Sequence, residues 1–215
     1  MKVLVCTHGY FGVLIAVMRI LKGGDSMTYL LALPGPRIKE YPHVTEAEAQ
    51  LIWAEAKSPR VRCFIKALWF TGLRISEVLR LCTRDLRRNG LDYSLNIIRS
   101  KKAKATPELL PIPRVLGQAL DDYIQTADLK PSAKLFPGHE NAYRYQVRLC
   151  AKKAGLENWE KIHPHSFRHG FVYDKAQKGV HPYVLSKLTG HSSLGITLQY
   201  YQPTEADLRQ AIESK

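Results

Sequence analysis

The sequence predicts an α+β fold, mainly α, in which a helical domain carries a small three-stranded antiparallel sheet. Three observations predict it. Apolar residues recur at helical spacing from Thr45 to Leu81 and again from Arg114 to Tyr200. Between these blocks Asn89-Gly90, a hairpin signal, precedes the alternation of Leu91, Tyr93, Leu95 and Ile97 with Asp92, Ser94 and Asn96. A short strand signal, Leu109-Leu110-Pro111-Ile112, follows across a lysine-rich connection, and strands joined this closely pair antiparallel.

Residues 1–40 read as an N-terminal extension and linker. Val3 to Cys6 and Phe11 to Met18 are apolar, but Thr7-His8-Gly9 divides them and Arg19 ends the run. The run is too short to span a bilayer, and no small-residue cleavage site follows it. Leu33-Pro34-Gly35-Pro36 is a linker signal, so residues 41–215 are expected to form the domain.

That domain opens at Thr45, which with Glu48 has capping-box spacing ahead of Leu51, Ile52 and Trp53. A second helical run, Phe64 to Phe70, is interrupted at Thr71-Gly72 and resumes at Arg74. Val78, Leu79 and Leu81 are core candidates, and Arg74 sits where free backbone N–H groups would favour an anion. After the sheet, Val115, Leu116, Leu120 and Ile124 form one helical face. Residues 131–138 read as a loop, and 142–154 as a basic helix with Arg144, Arg148, Lys152 and Lys153, ended by Gly155. Further helices are expected over 166–178, 182–188, 193–200 and 204–214.

Lys plus Arg total 32 and Asp plus Glu 19, a net charge of +13. That excess favours a polyanionic partner, nucleic acid before an anionic membrane surface or an acidic protein. The four cysteines form no close pair, which argues against a cysteine-built zinc site and suits a reducing cytoplasm.

Chemistry-bearing residues concentrate between His163 and Tyr201, where five of the eight histidines lie. His165 and Arg168, three apart, share a helix face. Gly190-His191-Ser192 follows, and Tyr200 and Tyr201 close the stretch. Arginine grips phosphate oxygens bidentately, histidine donates or accepts at neutral pH, and tyrosine can be a covalent nucleophile. A metal cluster of His163, His165 and His169 is the rival reading, and Arg168 among them argues against it.

Together these motifs resemble the tyrosine recombinase family, the phage integrases and Xer-type recombinases, over about residues 40–213. Thr71-Gly72-Leu73-Arg74-Ile75-Ser76-Glu77 is similar to the family's first box, which implies Arg74 as catalytic and Glu77 as its support. Lys101 stands where the family has its β-hairpin lysine, with Lys102 the alternative. His165-Ser166-Phe167-Arg168-His169 resembles the second box, implying His165 and Arg168. Gly190-His191-Ser192 resembles the third, implying His191. Tyr200, nine residues beyond His191, holds the nucleophile position, with Tyr201 the alternative. Thr189 and Gly170 depart from the pattern, which more often has an apolar residue and a small hydroxyl residue there.

The resemblance implies a DNA breaking-rejoining fold and a site-specific recombinase or integrase for a mobile element. Double-stranded DNA is the implied partner, cut through a 3′-phosphotyrosine link without metal, ATP or other cofactor. The basic helix is expected to contact DNA phosphates, with no membrane partner and a cytoplasmic, nucleoid-associated location. Family members work as tetramers through the C-terminal segment, here residues 204–215. The usual N-terminal DNA-clamping domain is missing, so the chain is a catalytic domain alone, a fragment, or dependent on an accessory protein. A relaxing topoisomerase of type IB character and a DNA-binding regulator derived from the family are the alternatives.

Overall fold

In the computed structural model, which describes residues 42–99, 107–201, 209, 212 and 213, the first helix starts at Thr45. The Thr45 N–H donates to Glu48 Oε2 at 2.7 Å and the Glu48 N–H donates to Thr45 Oγ1 at 3.3 Å, the reciprocal cap that their spacing predicts. Helix α1, Glu46–Ala54, buries Ile52 but leaves Leu51, one step round the helix, 52% exposed. Helix α2, Pro59–Thr71, is buried along most of its length. A single turn, α3, Ile75–Val78, follows Arg74; Val78 and Leu81 enter the core, and Leu79 only partly.

Strands β1, Leu86–Asn89, β2, Asp92–Ile98, and β3, Pro107–Ile112, form an antiparallel sheet in the order β1-β2-β3. The hairpin differs in one respect from the expectation. Asn89 pairs with Asp92, so the two turn residues are Gly90 and Leu91. A turn over Asn89-Gly90 would need positive φ at both. Here φ is +61° at Gly90 and not positive at Leu91, the φ signs of a type II′ turn. Leu91 is consequently 62% exposed, while Tyr93, Leu95 and Ile97 keep the alternation and are buried. Pro107 and Pro111 are tolerated because β3 is an edge strand. The connection at 100–106, with Lys101 and Lys102, lies outside the described residues.

Helix α4, Arg114–Thr126, buries Leu116, Gly117, Leu120 and Tyr123, a stripe turned slightly from the expected one, so that Val115 faces solvent. Tyr123 Oη donates to Leu135 O at 3.0 Å and ties down the loop before α5, Glu140–Lys153. Helices α6, Pro164–Gln177, α7, Pro182–Thr189, and α8, Leu194–Leu198, complete the described part. Helix α6 begins earlier than expected because Pro164 suits a first helical turn. Helix α8 ends earlier: Tyr200 N–H donates to Thr197 O and Tyr201 N–H to Leu198 O, a tightened turn carrying both tyrosines. The helix expected over 204–214 falls almost wholly outside the described residues.

Helices α1, α4, α5 and α6 pack around α2. The centre is aromatic: Phe64 lies 5.5 Å from Phe136 and 4.3 Å from Tyr143, centroid to centroid. Helix α6 joins this core, through Phe167, to a smaller cluster of Phe171, Val172, Ala176 and Leu185, against which Tyr200 and Tyr201 pack. The two departures from the family pattern have local causes. A Cβ at Gly170 would lie 1.9 Å from Val44 O, so no side chain fits where α6 meets that strand of chain. Thr189 is fully buried, and its hydroxyl is satisfied by Leu185 O at 2.8 Å.

Candidate active site

Arg74 is held by Glu77 twice over. Its backbone N–H donates to Glu77 Oε2 at 2.9 Å and its Nη1 to Glu77 Oε1 at 3.1 Å, while Nη2 reaches Gly190 O at 3.4 Å. The carboxylate therefore occupies the helix start that the sequence offers as an anion seat. What Arg74 presents to a ligand is its guanidinium, oriented by a buried acid, and not the α3 N-terminus.

Arg168 comes from the middle of α6 and is only 5% exposed. Its Nη1 donates to Gly72 O at 2.7 Å, across the joint between α2 and α3. Its Nη2 is buried and has no hydrogen-bond partner. Burial, and then the Arg74 charge, pull its pKa down to about 10, which leaves it protonated at neutral pH but under-solvated. A buried guanidinium with an unmet donor beside a second guanidinium is a seat for an oxyanion.

The histidines surround this pair. His191 follows the αL residue Gly190 (φ +64°), and its Nδ1 lies 2.7 Å from Thr197 Oγ1. Burial, then Arg168 and Arg74, lower its pKa to about 4. His169 Nδ1 is hydrogen-bonded to Tyr200 Oη, with the rings near-parallel at 6.1 Å. Burial, then His165 and Arg168, hold His169 at about 4 as well. Both imidazoles are neutral at pH 7. His165 lies at the surface of α6 with its ring 6.3 Å from that of His169, and its pKa is lowered by desolvation and then by Arg168.

The two tyrosines are separated by their partners. Tyr201 Oη donates to Val180 O, in the turn between α6 and α7. Tyr200 points to His169 on α6, close enough to Arg168 for its charge to act on that guanidinium. Adjacent residues point about 100° apart on a helix, so one phenol goes to the cluster and the other to the backbone.

Arg74, Glu77, Arg168, His191 and Tyr200 are thus brought together, with His165 at the edge. Lys101 and Lys102 lie outside the described residues. On α5, Arg144 and Arg148 act electrostatically on His163, and Arg144 on His165, which puts them on the site's side. Arg144 is paired with Glu140. Lys152, whose Nζ sits 4.8 Å over Trp159, and Lys153 lie further along the helix, Lys152 about 6 Å beyond Arg148 and about 12 Å beyond Arg144. Sequence reasoning missed His169 and Thr197 as members of the site, and also Arg99. The signal for His169 was its place beside Arg168; Thr197 and Arg99 carry none without the fold.

Helices packed around α2, with a three-stranded antiparallel sheet inserted between α3 and α4, are the fold of a tyrosine recombinase catalytic domain. Aligned structures include XerA recombinase (TM-score 0.65, 21% identity, 87% of this chain and 69% of that one) and the catalytic domain of bacteriophage HP1 integrase (TM-score 0.60, 21% identity, 81% and 95%). XerH site-specific recombinase, bound to its difH substrate, aligns with TM-score 0.69 at 22% identity over 88% of this chain and 57% of that one. The model of the phage integrase family matches residues 42–207, and the chain belongs to that family. Among its relatives are a tyrosine recombinase of Pseudothermotoga lettingae, 29% identical over 76% of this chain and 56% of the relative, and XerA of Pyrococcus horikoshii, 28% identical over 84% and 64%. The chain therefore spans under two thirds of the length of these relatives.

Proposed function

We propose that the protein cuts and rejoins double-stranded DNA through a covalent 3′-phosphotyrosine at Tyr200, in the integration or excision of a mobile element. The observation that carries the reading is Arg168, a buried guanidinium with one donor unmet, lying among Arg74, His191, His169 and Tyr200. The difH substrate bound to XerH, and the transposon right end DNA bound to the Tn1549 transposon integrase, which aligns with TM-score 0.62 at 22% identity, support the choice of substrate.

In this reading Arg74 and Arg168 hold the two non-bridging oxygens of the scissile phosphate. With the Thr197 hydroxyl donating to Nδ1, neutral His191 carries its proton on Nε2 and donates it to a phosphate oxygen. Tyr200 Oη attacks phosphorus in line, and the bond from phosphorus to the 5′-oxygen breaks. The departing oxygen takes a proton from Lys101, the lysine the resemblance implies, or from Lys102. The phenol proton has an acceptor in contact, His169 Nδ1, with His165 next to it as the base the resemblance implies. His169 is a poor base in the free protein because burial depresses it, and then His165 and the field of Arg168. A phosphate anion seated on Arg168 cancels part of that field and raises its basicity when the substrate is present. The ester to Tyr200 keeps the energy of the phosphodiester, so attack by a 5′-hydroxyl reverses the step without ATP.

The test is trapping on a duplex nicked just beyond the cleavage site, whose short 5′-hydroxyl fragment diffuses away and prevents religation. With excess EDTA present, a protein–DNA species that survives SDS is expected. Binding to DNA without any such species, across candidate recombination sites, overturns the reading in favour of a DNA-binding regulator.

A further inference from the structure

Arg99 directly follows β2 and is only 4% exposed, although neither its position nor its neighbours in the sequence set it apart. Its Nη2 donates to Leu188 O at 2.8 Å and lies 3.3 Å from Lys187 O, the last-turn carbonyls of α7. The same guanidinium contacts Glu108 of β3, Nη2 to Oε1 at 3.3 Å and Nε to Oε2 at 3.5 Å. Its Nη1 faces Glu77 Oε2 at 4.0 Å. A Cβ added at Gly190 would lie 3.0 Å from Arg99 Cδ and Nε, so the residue before His191 rests on this side chain.

One planar cation thus joins four pieces: the end of β2, the edge strand β3, the acid that orients Arg74, and the C-terminus of α7 that leads into His191. Each contact has a physical reason. Terminal helix carbonyls lack intrahelical donors and carry partial negative charge, which a cation satisfies. Glu77 has a fully buried side chain whose two oxygens both accept from Arg74; Arg99 Nη1, 4.0 Å from Oε2 and without a hydrogen bond, adds a second positive charge that offsets its desolvation. Lysine has no rigid fork to reach two carbonyls and a carboxylate at once. Arg99 also acts electrostatically on Arg168 and His191.

We propose that Arg99 is a positioning residue, which sets Arg74, through Glu77, and His191, through the end of α7, at the spacing the scissile phosphate requires. It touches no reacting atom. The proposal rests on the recombinase reading above, and the test separates the two. If the unaltered chain traps no DNA, that reading fails. If it does and the Arg99 variants behave like it, the present proposal fails alone.

The measurement compares Arg99→Gln and Arg99→Lys in the full chain by single-turnover cleavage of the nicked duplex. The duplex carries either an ordinary scissile phosphate or a methylphosphonate, which replaces one non-bridging oxygen by methyl. Thermal unfolding and noncovalent DNA affinity are recorded beside it. Misplacing a catalytic group by about 1 Å costs about 100-fold in rate. Arg99→Gln is expected to lose about 100-fold on the phosphate and much less on the neutral methylphosphonate, which makes smaller demands on a guanidinium. Arg99→Lys, which keeps the charge without the fork, is expected to fall between Gln and the unaltered protein. DNA affinity is expected to stay within about threefold, since Arg99 is buried away from solvent. Equal losses on the two substrates, or no loss, overturn the proposal. Failure of both variants to fold assigns Arg99 to stability alone and overturns it too.

Discussion

At the level of single residues, chemistry depends on who meets whom across the domain. Between the tyrosines the sequence favours Tyr200 with Tyr201 as the alternative, and the boxes around Arg74, Arg168 and His191 were legible because each is a short local motif. The contact between Tyr200 and His169 was not, because 31 residues and two turns separate them. Thr197 was unreadable for a similar reason: a threonine on a short, mostly apolar helix gives no sign that its hydroxyl meets an imidazole. These contacts make definite predictions. His169→Gln keeps a hydrogen-bonding group but cannot take a proton, and is expected to slow cleavage by about 100-fold or more without weakening DNA binding. An unchanged rate would return the base to His165. Arg168→Ala is expected to cost about 100- to 1000-fold in single-turnover cleavage, the usual loss for one preorganised donor at a developing oxyanion. Gel-shift affinity measured beside it separates loss of chemistry from loss of binding.

At the level of elements, the sequence revealed helices and strands by periodicity and caps, and misplaced details that periodicity does not encode. The Thr45–Glu48 box is local and appears as expected. The hairpin slipped by one residue because Gly90, and not Asn89, takes the first turn position. The exposed face of α4 depends on what packs against it, so Val115 fell on the wrong side. Helix α6 shows how an element's packing serves the site. Its close approach to the chain at Val44 is possible only because residue 170 lacks a side chain. Gly170→Ala should gain helix propensity yet lose stability overall, by about 1–3 kcal/mol, since the methyl would force α6 away from Val44 O. Thermal unfolding by circular dichroism measures this, and a raised midpoint would show that the joint can yield. On α5, Arg144→Ala with Arg148→Ala is expected to weaken DNA binding and flatten its salt dependence more than Lys152→Ala with Lys153→Ala, because only the first pair acts on the histidines of the site.

At the level of the whole molecule, a net charge of +13 and a cluster of buried cations, with Arg168 Nη2 and Arg99 Nη1 both lacking a hydrogen-bond partner, make the free protein a poor home for protons on its histidines. His169 and His191 titrate near 4 when folded, against an ordinary value of about 6.5 when unfolded. Between those values the unfolded chain binds more protons than the folded one, so stability is full above about pH 6.5 and declines as the pH falls towards 4. Unfolding midpoints measured from pH 7.5 to 4.5 should fall, and the fall should shrink in the His169→Gln, His191→Gln double variant. A midpoint independent of pH would mean that these rings are solvated and ordinary. For assembly we propose that residues 204–215 dock on a neighbouring subunit; Ile212, 84% exposed, is a side chain of that segment available to bury. Removing the segment is expected to weaken assembly on DNA, read by sedimentation, before it reduces single-strand cleavage.

The direct measurement of the central claim is to digest the SDS-resistant protein–DNA species and identify, by mass spectrometry, the peptide that carries the nucleotide. Tyr200 is expected as the linked residue, with Tyr200→Phe forming no adduct while binding DNA normally and Tyr201→Phe still forming it. A nucleotide on Tyr201, or an adduct that persists in Tyr200→Phe, would contradict the convergence of Arg74, Arg168, His191 and Tyr200 on one phosphate.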